Sequence, residues 1–114
     1  MAIYNNLPVY KASYDLLLLL FKCSKNMDRD YRHTLGETIK QELVALITHI
    51  YRANSKVQKK VLLANARENL EVVRLLMRLA NDLNQFKLTD FVQDNLYIES
   101  ISKQLVAWQK YSLE

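Results

Sequence analysis

One glycine and one proline stand in 114 residues, and that scarcity constrains the fold more than any other feature. Tight turns draw on Gly for unusual backbone angles and on Pro to stop regular structure. A chain poor in both and rich in Leu favours long helices joined by short connections. Half of its residues are apolar and a quarter are charged, which is a globular balance. The length suits one compact domain over residues 1–114, with too little chain for two cores.

Apolar residues recur at helical spacing in four segments, approximately 8–25, 30–53, 56–84 and 89–112. Pro8 suits the first position of the first helix, whose core row reads Tyr10, Tyr14, Leu17 and Phe21. Asp28 and Asp30 favour the positive end of a second helix, with the row Ile39, Leu43, Leu46, Ile50 and Ala53. Asn54 or Ser55 serves as a cap for the third. Its row is Leu62, Ala66, Asn69, Val73, Leu76, Ala80 and Leu83. Thr89 caps the fourth, with Phe91, Asp94, Ile98, Ile101, Leu105 and Trp108. Short connections make consecutive helices antiparallel neighbours, so the expected fold is an all-α, up-down-up-down four-helix bundle. The third helix carries further apolar residues: Leu63, Leu70 and Met77 beside its row, and Val61, Val72, Leu75 and Leu79 on the other flank. Its apolar arc of roughly 200° exceeds the roughly 100° that a surface helix needs. That excess points to self-association.

Catalytic patterns are poor. There is no Glu-x-x-His pair of the kind that builds di-metal bundles. His33 and Glu37 have no second such pair and read as a surface hydrogen bond rather than metal ligands. His49 lies beside the apolar row of the second helix and reads as a packing histidine. Gly36, the sole glycine, cannot build a phosphate-cradling loop; one turn before Ile39, it reads as a point of close helix approach. Cys23 is the only cysteine, so no internal disulfide forms and a reducing compartment is expected. Of the seven tyrosines, Tyr10 and Tyr14 fall in the core row. Tyr31, Tyr51, Tyr97 and Tyr111 sit near helix ends, where the ring packs and the hydroxyl stays wet. Trp108 reads as a core plug. No enzyme activity, metal or cofactor is expected. The apolar run Leu16 to Phe21 falls far short of the roughly 20 residues that span a bilayer, and Met1 to Asn6 lacks a secretory pattern. A cytoplasmic, membrane-free protein is expected.

Charge is the informative surface feature. The net charge is +4 and the pI about 9.2, which suits a polyanionic partner without requiring one. Lys60, Arg67, Arg74 and Arg78 fall within roughly 40° of one another on a helical wheel at about 100° per residue. Only Glu71 interrupts them. Arg52, Lys56, Lys59 and Lys60 cluster around the turn between the second and third helices. Cations so arranged can follow a phosphate backbone; the competing explanation is a solvated face paired with acids of a neighbouring helix. In a ring, each subunit would repeat the patch and weak contacts would add.

Three segments carry a resemblance. Leu7-Pro8-Val9-Tyr10-Lys11 opens the first helix and Tyr31-Arg32-His33-Thr34-Leu35-Gly36 the second. Leu70-Glu71-Val72-Val73-Arg74-Leu75-Leu76-Met77-Arg78-Leu79-Ala80-Asn81-Asp82-Leu83 runs along the third. Together they resemble the accessory variability determinant (Avd) proteins of diversity-generating retroelements. These sit within the four-helix-bundle family of rRNA intervening-sequence proteins. The resemblance implies a homopentameric ring of bundles that partners a reverse transcriptase and binds RNA or DNA during mutagenic copying. Arg74 and Arg78 match basic positions of the family pattern. Val106 and Ala107 stand where the family often has glycines before Trp108, and the sequence closes at Glu114 without a basic tail. These departures keep a second class open: an oligomeric structural or protein-interaction bundle of the intervening-sequence type, with no reverse transcriptase partner.

Overall fold

The computed structural model describes residues 7–55 and 58–112. Among these there are four helices and no strand. Helix α1 is Pro8–Ser24, α3 is Lys59–Asp82 and α4 is Leu88–Lys110. Helix α2 is composite: a short α-helical turn Arg29–Tyr31, a π-helical turn Arg32–Gly36 and the long α-helix Glu37–Ser55. Each helix packs on the next, and α4 closes the circle against α1. The bundle measures 44 × 22 × 20 Å.

Local chemistry sets the helix ends. Leu7 is extended at φ −72° and ψ 129°, as the residue before a proline must be, and α1 starts at Pro8. At the other end of α3, Asn84 adopts φ 61°, a left-handed conformation that Asn tolerates better than most residues. Its N–H bonds to the Asn81 carbonyl, and the N–H of Gln85 reaches back to the Ala80 carbonyl at 2.9 Å. This double closure satisfies carbonyls that the helix end would leave bare. The buried Gln85 side chain then ties this turn to the one between α1 and α2. It accepts from the Asp28 N–H at 2.7 Å and donates to the Asp28 carboxylate at 3.1 Å. Neither expected N-cap forms: Asn54 and Ser55 belong to the last turn of α2, α3 follows Gln58 with no side-chain cap, and Thr89 lies inside α4.

The core rows of α2 and α4 match the periodicity. Ile39, Leu43, Leu46, Ile50 and Ala53 are fully buried, as are Asp94, Ile98, Ile101 and Leu105. Helix α3 is turned by part of a step, burying Leu63 and Leu70 and leaving Leu62, Asn69 and Leu76 half-buried. Helix α1 departs most. Its buried row is Val9, Ser13, Leu16, Leu20 and Cys23, while Tyr14 and Phe21 of the expected row are 50% and 49% exposed. The run Leu16 to Phe21 offers apolar residues in both phases, so small residues decide between them. Ser13 can be buried because its hydroxyl donates to the Val9 carbonyl one turn back at 2.8 Å, leaving no polar atom without a partner. Gly36 is buried in the π-helical turn, and a Cβ there would lie 3.4 Å from Met27 Sδ. The close approach is therefore to the α1–α2 turn rather than to another helix.

Candidate nucleic-acid interface

The basic residues occupy one seam and one end of the bundle. Arg52 is exposed in the last turn of α2; Lys59 is half-buried and Lys60 exposed at the start of α3; Arg67 and Arg78 are exposed further along it. Lys56 lies outside the described residues. The stripe of α3 faces the α3–α4 seam, where α4 supplies partners. Arg67 donates to Gln109 Oε1 at 2.7 Å, and Gln109 Nε2 donates to the Lys60 carbonyl at 3.2 Å. One glutamine thus locks the first turns of α3 to the end of α4.

Arg74 is engaged more tightly. Its Nε donates to Glu71 at 3.0 Å, and its guanidinium also bonds to Glu99 of α4. The hydrogen bond to Glu99 is the main cause that holds the Arg74 pKa above its ordinary value. The same bond lowers that of Glu99. Arg78 lies 4.0 Å from Asp82 in a largely exposed pair. Arg74 and Arg78 are therefore balanced by Glu71, Glu99 and Asp82. Arg52, Lys59, Lys60 and Arg67 pair with no carboxylate among the described residues.

The four cations without a carboxylate partner concentrate toward the α2–α3 end, and the helix there has no compensating acid in its first turn. The first turn of α3 contains no acidic residue, and its N-cap makes no side-chain bond. Lys59 and Lys60 thus add positive charge where a helix already presents bare N–H groups and a positive dipole end. That arrangement opposes the usual rule for helix starts and suits an anion. An open groove of about 560 Å³ runs beside Arg67, with Glu68, Glu71 and Ser102 in its walls.

Sequence reading missed Glu99 and Gln109 because they come from another helix. Their pairing depends on how α4 is placed against α3. The other singled-out polar residues take structural places. His49 Nδ1 lies 2.8 Å from Asn69 Oδ1, and Asn69 in turn donates to Glu42 at 3.3 Å, a polar bridge between α2 and α3. His33 is exposed in the π-helical turn, and Glu37 accepts from Lys40 at 3.4 Å. Among the described residues, no group of three or more His, Cys, Asp or Glu side chains is placed to hold a metal. No helix among them is long and apolar enough to cross a membrane.

A second polar cluster lies at the opposite end. Cys23, Asn26, Asn84, Gln85, Phe86, Lys87 and Asp90 line a cavity of about 210 Å³. Burial, with Asp90 and Asp94 adding to it, pushes the Cys23 thiol up to about 12, so it stays protonated and unreactive at neutral pH. Asp94 is fully buried, and neither carboxyl oxygen has a hydrogen-bond partner. Burial first and Asp90 second raise its pKa to about 7.

The fold and its surface define a small helical bundle with a charged α3–α4 seam and a cationic α2–α3 end. The profile of the bAvd-like family matches residues 8–112, and the chain belongs to that family. No curated protein matches the chain.

Proposed function

We propose that this Avd-like accessory bundle binds nucleic acid through the α2–α3 end and the adjoining part of the α3–α4 seam. It would do so as partner of a retroelement reverse transcriptase during mutagenic copying. The carrying observation is the group of cations without carboxylate partners around the uncapped start of α3. Arg52, Lys59, Lys60 and Arg67 make the primary phosphate contacts, and Lys56 extends the patch by its place in the sequence. Arg74 and Arg78 contribute only where phosphate displaces Glu71, Glu99 and Asp82 from them. The bundle acts as a non-enzymatic clamp, with affinity from charge and no bond made or broken. Assembly into a ring, a homopentamer by resemblance, multiplies the patch so that individually weak contacts add.

The test is a fluorescence-anisotropy titration against a structured RNA and a DNA duplex. Replacing Lys59, Lys60 and Arg67 together by Glu is expected to lower affinity about a hundredfold or more, whereas Arg74→Glu alone costs less. Undiminished affinity in the triple variant removes this surface from the function.

A further inference from the structure

The groove along α3 and α4 has a lining that attraction for phosphate does not explain. It holds about 560 Å³, within the roughly 300–1,000 Å³ of sites that take small organic groups. Ser102 keeps it open. On α4 this residue stands between Glu99 and Gln109, which clasp Arg74 and Arg67 across the seam. A side chain so small leaves space between the two clasps.

The polar groups of the lining are of two signs. Arg67 is the cation, while Glu68 and Glu71 bring carboxylates to the same space. Glu71 spends one oxygen on Arg74 at 3.0 Å. Glu68 is exposed and makes neither an ion pair nor a hydrogen bond among the described residues. The Ser102 hydroxyl is likewise unengaged among them. Ala64, Leu70 and Val72 add apolar wall.

Two carboxylates repel phosphate, so a strand that follows the cations cannot lay its backbone in this groove. A carboxylate only accepts hydrogen bonds, and the donors a strand can bring are on its bases. Their pairing edges are free only where the base is unpaired. Guanine alone presents two adjacent donors there, N1–H and the 2-amino group, which match the two oxygens of one carboxylate. Its O6, next in line, accepts from a hydroxyl. Adenine and cytosine set a ring-nitrogen acceptor beside their amino group, and uracil has one N–H between two carbonyls. These three would each turn an acceptor toward Glu68.

From this we infer that the groove takes one unpaired guanine of a bound strand, with Glu68 accepting from N1–H and the 2-amino group and Ser102 donating to O6. The base face rests on the apolar wall, and Arg67 holds the adjoining phosphate. Backbone contacts then position the strand and the groove specifies the base. The inference rests on the nucleic-acid reading of the proposed function and gives it a base preference.

The experiment measures, by fluorescence anisotropy on the full chain, single-stranded oligouridine and the same strand carrying one central guanosine. The guanosine strand is expected to bind about tenfold more tightly, the scale of one good bidentate base contact. Inosine at the same place keeps N1–H and O6 but lacks the 2-amino group, and should lose most of the gain. Glu68→Gln should abolish the preference without weakening oligouridine binding. Ser102→Leu, which fills the groove, should do the same, and circular dichroism checks both variants. Should the half-buried Ser102 change misfold, the exposed Glu68 variant still decides. Equal affinity of the wild type for the two strands overturns the inference, as does a preference that survives Glu68→Gln or an inosine strand that matches guanosine. Absence of binding to either strand overturns the nucleic-acid reading itself.

Discussion

Along the α3–α4 seam the outer side chains are Arg67, Arg74, Glu99 and Gln109, bonded across the helices. Along the α1–α2 seam they are Tyr14, Phe21, Lys40 and Val44, with one cation lying on an aromatic ring. Both seams join antiparallel neighbours of one bundle, so backbone geometry does not explain the difference. It comes from which residues flank the buried row. Exposed ion pairs at a rim are each worth little, because water screens them and side-chain entropy opposes them. Exposed apolar rows gain only when another surface covers them. On the reading proposed above, the first seam offers charge to a polyanion, whereas the second leaves apolar side chains uncovered. The contrast continues inside the bundle. Glu99 is ionised at the surface beside Arg74, while Asp94 of the same helix is sealed beneath α1 with no partner.

The largest effect should follow from testing which row of α1 is buried. Leu20→Ala removes a fully buried side chain and should cost about 2–5 kcal/mol in denaturant unfolding. Phe21→Ser, one residue on at a half-exposed position, should leave the helical content intact and cost much less stability. Equal loss of fold stability in both would erase the distinction between the buried row and the exposed face of α1.

Next comes the buried acid. Folding raises Asp94 from its ordinary 3.8 to about 7. Its contribution is fully present below the unfolded value and is lost as pH rises through 7. Asp94→Asn does not titrate, so its stability relative to the wild type should rise with pH. The difference should approach up to about 4 kcal/mol above pH 7, at roughly 1.4 kcal/mol per pKa unit. Urea unfolding of both proteins at pH 5, 6, 7 and 8 measures it, and a difference that does not change with pH contradicts the sealed environment.

The smallest effect belongs to the rim. Glu99→Gln breaks the interhelix ion pair of Arg74, yet thermal unfolding should show little change, because water screens so exposed a pair. The released guanidinium should modestly tighten nucleic-acid binding. A large loss of stability would make the α3–α4 seam structural and weaken its contrast with the α1–α2 seam.

Much of this architecture was legible. The row Ile39, Leu43, Leu46, Ile50 and Ala53 was readable because one apolar phase dominates it, and in α4 even the unusual Asp94 fell in phase with Ile98 and Leu105. Helix α1 was misread because its aromatic phase, Tyr14 and Phe21, is the bulkier one. The core instead takes the phase with Ser13 and Cys23, whose small side chains let neighbouring helices close in. The π-helical turn 32–36 leaves no pattern in apolar spacing. The basic residues were legible by their recurrence along one helix. Their pairing was not, since Glu99 and Gln109 reach Arg74 and Arg67 only through the register of α4 on α3. The uncapped start of α3 was hidden for a related reason. Asn54 and Ser55 look like caps, but α2 runs through them.

The most direct measurement of the central claim is the salt dependence of wild-type binding to the structured RNA, from about 50 to 200 mM. Four phosphate contacts by Arg52, Lys59, Lys60 and Arg67 release counterions with a log–log slope of about −3.6. That is a fall in affinity of roughly a hundredfold or slightly more across this range. A steep slope of this size, flattened in the Lys59, Lys60 and Arg67 triple variant, is the predicted result. Absence of binding at the lower salt, or affinity indifferent to salt, would contradict the account and leave a bundle whose surfaces serve protein contacts alone.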